Sequence, residues 1–182
     1  QYHWFGGDGM VHAFHFENGK ISYLNRWSKT SKWLQERKAG KSLIDGLNPM
    51  NSDPRWNPEG SDGTANTNII FHAGKLLALE EGHVPFELDP ITLESKGAYD
   101  YGGKLKSPMT AHPKIDPVSG DMYGFSYTAE NFFSSKMSYF VINSLGELKT
   151  YEEFEAPFAS MVHDFMVTDQ HIIFPIFPLT ID

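Results

Sequence analysis

Residues 107–127, SPMTAHPKIDPVSGDMYGFSY, carry the pattern that decides the fold. A short run ending at Ile115 and an aromatic-rich run, Met122–Tyr127, flank Asp116–Asp121, a turn signal built from Asp, Pro, Val, Ser and Gly, which is the pattern of a β-hairpin. Ahead of the first run stands one histidine, His112, wedged between Ala111 and Pro113. The same grammar recurs along the chain. VHAFHFENGKISYLNRW (11–27) turns at ENGK, NIIFHAGKLLALEE (68–81) at HAGK, FELDPITLES (86–95) at DPIT and MSYFVINSLGELKTYEEF (137–154) at NSLGE. The chain therefore reads as a succession of antiparallel hairpins, an all-β protein. One stretch, SKTSKWLQERKAGKSLI (28–44), has helical character, and the Pro-, Gly-, Asn- and Asp-rich segment 46–66 reads as a long loop.

Histidines mark a repeat. His72, His112 and His163 each lie near the first strand of a hairpin pair, 40 and 51 residues apart, a spacing that suits four-stranded propeller blades. His72 abuts its turn, whereas His112 and His163 precede theirs by several residues, so the latter two are the matched pair. Two imidazoles in equivalent blade positions converge toward the propeller axis, where neutral His suits Fe, Zn or Cu. The competing reading is that each is a surface or hydrogen-bonded structural residue, and that reading is preferred for His3, His12, His15, His83 and His171. Glu80 and Glu81 pose a similar choice. Neighbours on a strand face opposite ways, so one of the two can point inward and orient a metal-bound imidazole while the other stays on the rim.

Composition narrows the remaining classes. With 182 residues, 40% of them hydrophobic and 14% aromatic, the chain can bury a core. A net charge of −8 with scattered Lys and Arg offers no basic stripe for phosphates, so nucleic acid is not an expected partner. The absence of Cys excludes thiolate ligation and a Cys nucleophile, leaving His and carboxylates as metal ligands. The longest apolar run, HIIFPIFPL (171–179), is too short for a transmembrane helix and is interrupted by Pro175 and Pro178. No GxSxG elbow, HExxH or P-loop occurs.

Five blocks, GGDGMVHAFHFENGKISYLNR, TANTNIIFHAGKLLALEEG, PFELDPITLE, MTAHPKIDP with GDMYGFSY, and MVHDFMVTDQHIIF, together resemble the carotenoid cleavage oxygenase family, which includes stilbene-cleaving enzymes. The resemblance implies a seven-bladed β-propeller carrying a non-haem Fe(II) on its axis through four histidines, under an apolar substrate tunnel. TAHPK and VHDF look like the first two ligand blocks, making His112 and His163 the iron ligands in this chain. The other two are expected beyond Asp182, so residues 1–182 are expected to be a single incomplete domain of three to four blades with loop and short-helix insertions, inactive alone. Glu81 matches the glutamate behind the ligands. Thr67, in TANTN, matches a threonine beside the iron's open coordination position. Retinoid isomerases of the family have Val there, which favours an oxygenase. The implied reaction is scission of a C=C bond of a carotenoid, apocarotenoid or related conjugated alkene by O2, giving two carbonyl products. Stilbene cleavers carry Lys before the glutamate; this chain has Glu80. A cytoplasmic location with peripheral membrane contact is the accompanying expectation. Two other readings stay open: a metal-free propeller binding module, and a non-oxidative isomerase on the same scaffold.

Overall fold

The computed structural model describes residues 4–44, 52–57, 63–130 and 134–177; His3 and parts of the 46–66 loop lie outside them. The expected hairpins form. β1 (Met10–Glu17) pairs with β2 (Lys20–Trp27) as a two-stranded ribbon, and one helix follows, α1 (Ser31–Ala39). Thr30 caps its first turn by accepting from the Trp33 amide, and Gly40, at φ 68°, ends it in the left-handed region. Its base is locked by Lys32, almost wholly buried, whose ammonium lies 2.8 Å from Asp8 and 3.0 Å from Glu36.

Two four-stranded antiparallel meanders come next. The first is β3 (Asn68–His72), β4 (Lys75–Leu79), β5 (Phe86–Leu88) and β6 (Ser95–Ala98). The second is β7 (Lys114–Ile115), β8 (Met122–Ser126), β9 (Lys136–Ile142) and β10 (Leu148–Glu155). A final ribbon joins β11 (Met166–Val167) to β12 (Ile172–Ile173). Turn chemistry sets these registers. Asn18-Gly19 and Ala73-Gly74 have positive φ at both positions, the requirement of the two-residue hairpin turns whose twist matches the strands. The DPIT and DPVS turns use one device twice. The carboxylate of Asp89 accepts from the amides of Ile91 and Thr92, and that of Asp116 from Val118 and Ser119, all within 3.0 Å. Those amides hold the Asp89 pKa down at about 2.

Three core clusters lie between successive sheets. Ala65, Ala78, Phe86 and Leu88 pack with Val11 of the first ribbon. Leu77, Leu79, Met109, Met122, Phe140 and Ile142 lie between the two meanders. Phe125, Met137, Val162 and Phe165 join the second meander to the last ribbon. Each meander is thus covered on both faces, which is why KLLAL and KMSYFVI read as nearly continuous apolar runs instead of strict alternation. Truncating the fully buried Phe140 to Ala costs about 3–5 kcal/mol by cavity creation. Among the described residues, this succession of antiparallel sheets, two of four strands and two of two, is that of part of a β-propeller.

Candidate metal centre

The site grows from segments that lead into first strands, outside the regular ladders. His112 lies two residues before β7. The backbone around it is pinned from three directions: its amide donates to Thr110 Oγ1 at 3.0 Å, the Thr110 amide to the Phe125 carbonyl at 2.8 Å, and Asn68 Nδ2 to the Ala111 carbonyl at 2.8 Å. His163 lies three residues before β11, directly after the buried Val162. The two imidazoles meet edge to face, ring centroids 4.6 Å apart at 66°, and their Nε2 atoms are 2.9 Å from each other.

Glu81 completes the group. It follows β4, and its Oε1 lies 2.5 Å from His163 Nδ1. A carboxylate only accepts, so His163 donates through Nδ1–H and a neutral ring turns a bare Nε2 lone pair toward His112. The other carboxylate oxygen, Oε2, is buried and makes no hydrogen bond. Two nitrogens held at right angles about one ion at 2.0–2.1 Å stand roughly 3 Å apart, so the separation observed between the Nε2 atoms fits shared coordination. The chemistry of the set fits as well: neutral imidazoles, one oriented by a half-buried carboxylate, are the ligands that Fe(II) or Zn accepts. Among the described residues, no group of three or more His, Cys, Asp or Glu is placed to hold a metal ion, so the pair supplies two ligands.

Glu80 and Glu81 diverge, but strand alternation is not the reason. β4 ends at Leu79, so both carboxylates belong to the following turn. There Glu80 accepts from the Gly82 amide at 2.9 Å and pairs with His83 Nδ1. Glu80 is therefore neither a solvated rim charge nor a free tunnel group; its side chain is 17% exposed and engaged by its own loop. His72 is buried, and its Nε2 lies 2.9 Å from the Gly120 carbonyl in the β7–β8 turn, a structural tie between the two meanders. Thr67 is exposed; its hydroxyl donates to Asn66 Oδ1 at 2.9 Å and its amide to the Leu79 carbonyl at 3.0 Å. No hydrogen bond joins it to either histidine.

Sequence reasoning passed over several neighbours. Tyr127, just after β8, lies beside Glu81; burial, followed by that carboxylate, pushes its phenol pKa well up. Lys114 and Asp164 flank the two histidines. Burial raises the Asp164 carboxyl, but the Lys114 ammonium and the Phe165 amide outweigh it and hold the group below its ordinary value. The signal available was position, since Lys114 stands two residues after His112 and Asp164 one after His163.

Proteins similar to this chain are numerous. The family model for the retinal pigment epithelial membrane protein matches residues 1–182. An isoeugenol monooxygenase of Pseudomonas nitroreducens is 44% identical over 177 residues, covering 96% of this chain and 37% of the relative. Resveratrol cleavage oxygenase 1 of Aspergillus fumigatus is 42% identical over 180 residues, covering 98% and 36%. Among solved structures, a lignostilbene dioxygenase of Pseudomonas brassicacearum superposes with a TM-score of 0.90 at 41% identity, covering 98% of this chain and 37% of that one. A cobalt-substituted apocarotenoid oxygenase of Synechocystis superposes at 0.75 with 31% identity, covering 93% and 38%. The chain thus spans a little over a third of the length of the relatives it matches. By the family match over its whole length, together with the strand order and sheet packing described above, the chain belongs to the retinal pigment epithelial membrane protein family, that of the carotenoid cleavage oxygenases.

Proposed function

We propose that the protein containing this chain is an alkene-cleaving dioxygenase, with His112 and His163 as two ligands of a non-haem Fe(II) and Glu81 as the carboxylate that orients His163. The observation that carries this reading is the pair of Nε2 atoms 2.9 Å apart, one of them backed through Nδ1 by Glu81. Relatives at 42–44% identity are named for acting on isoeugenol and resveratrol, and another at 38% for carotenoid cleavage. The substrate class proposed is accordingly an apolar conjugated alkene, with O2 as co-substrate. When bound, the iron supplies the site for O2 binding and activation.

The chain's own contribution is positioning. Glu81 keeps the His163 proton on Nδ1 and so leaves Nε2 as a ligand. Thr110, Asn68 and Phe125 hold the backbone that carries His112. Imidazole ligands from this chain add no negative charge, so the ion keeps its dicationic character. Thr67 is proposed to lie beside the iron's open coordination position. Two mutant structures of the Synechocystis enzyme replace a threonine and a glutamate that are as far apart in that sequence as Thr67 and Glu81 are here, which supports both assignments. Elemental iron content and incorporation of labelled oxygen into both carbonyl products, measured on the full-length protein, test the proposal. An iron-free protein would favour the binding-module reading, and iron without oxygen incorporation the isomerase reading.

A further inference from the structure

Neither ligand histidine stands in a long β-ladder. β7 pairs with β8 through only two residues, β11 with β12 through only two, and no ladder joins β7 to β11. The two imidazoles nevertheless come from neighbouring sheets and must keep a separation set to a fraction of an ångström if they share an ion. Glu81 restrains one side of His163. A second restraint crosses from β7 to the segment that leads into β11. Lys114 Nζ lies 2.6 Å from Asp164 Oδ1, joining the second residue after His112 to the first after His163. Asp164 Oδ1 also accepts from the Phe165 amide at 2.8 Å, so the carboxylate is oriented by its own backbone. Lys114 Nζ stands 5.5 Å from the centre of the buried Phe165 ring, and this seats the ammonium.

We propose that Lys114 and Asp164 form an inter-blade clamp, positioning residues that hold the His112 and His163 imidazoles at coordinating separation. The inference rests on the proposed metal centre and adds to it a pair that touches neither ion nor substrate. An ion pair this exposed contributes little to global stability. Its effect is expected in metal binding, near the lower end of the roughly 10–100-fold loss that follows removal of a partner bonded directly to a ligand.

The test uses the full-length protein and cobalt(II) as probe, with affinity and the visible ligand-field band read by titration and thermal unfolding recorded alongside. Lys114→Gln and Asp164→Asn are each expected to weaken cobalt binding about tenfold or more and to shift the band, with the melting temperature nearly unchanged. The double variant should lose no more than either single one, and Lys114→Arg, which keeps the charge and a donor, should bind as the parent does. Lys75→Gln breaks a comparable pair 3.0 Å long with Glu87 away from the site and should leave cobalt affinity intact. Parent-like affinity and band in both Lys114→Gln and Asp164→Asn would overturn the clamp, as would equal losses in Lys75→Gln. His112→Ala and His163→Ala separate the two levels: if they too bind cobalt like the parent, the metal centre itself is wrong, whereas if they lose it while the clamp variants do not, only the clamp is.

Discussion

His72 and His112 stand at first strands of neighbouring meanders, yet their imidazoles are used in opposite ways. His72 is the last residue of β3, buried, with Nε2 against the Gly120 carbonyl. His112 precedes β7, and its Nε2 faces another imidazole instead of a carbonyl. A ring nitrogen against a carbonyl must carry the proton and is lost as a ligand. One facing a second lone pair is open to a cation. The difference is one of register: a His at the end of a strand reaches the next sheet's turn, whereas a His in the lead-in segment reaches the lead-in of the following sheet.

Substitutions at the two ends of this comparison should separate cleanly. The largest effect is expected for His112→Ala and His163→Ala in the full-length protein, each abolishing iron retention and turnover, while His72→Ala keeps its iron. Iron content by elemental analysis decides it, and equal retention in all three variants would remove the distinction. Next comes Glu81→Gln, expected to weaken iron binding or turnover by roughly 10–100-fold, against Glu80→Gln, which acts on the Gly82–His83 loop and leaves metal affinity unchanged. A metal defect in Glu80→Gln alone would reverse the roles of the two carboxylates.

The smaller effects fall on stability. His72→Ala strips the part-buried Gly120 carbonyl of its partner and should destabilise the fold by about 1 kcal/mol in chemical denaturation, with the metal affinity of the folded protein unchanged. Gly120→Ala approaches the same contact from the other side. Gly120 has φ 76°, and an added Cβ would stand 3.0 Å from the Ser144 side chain, so a loss of about 1 kcal/mol is expected, again without effect on metal binding. A cobalt or iron defect in either variant would mean that the His72 tie also shapes the metal centre.

Much of the scaffold was legible in the chain because its signals are local. Two-residue Gly turns, paired DP turns and short aromatic strands act within a few residues, and the one helix, Ser31–Ala39, falls inside the stretch 28–44 that reads as helical. Spacing of histidines gave the repeat, and the match of lead-in registers singled out His112 and His163. Local pattern failed where a turn intervened. In sequence Glu80 and Glu81 read as strand neighbours, but β4 ends one residue before them and the loop, with Gly82 and His83, sets their directions.

By itself, then, the sequence determined the all-β class, the hairpin registers and a shortlist of imidazoles and carboxylates, since each depends on backbone conformations written within a few residues. Tertiary structure decided which shortlisted groups meet. Glu81 reaches His163 across 82 residues and Lys114 reaches Asp164 across 50, contacts that exist only because sheets pack face to face through three cores. His72 was withdrawn from the metal by the same packing, which delivers the Gly120 carbonyl to its ring. Hydrogen-bond partners of this kind are fixed by where another sheet's loop arrives, and no run of neighbouring residues encodes that.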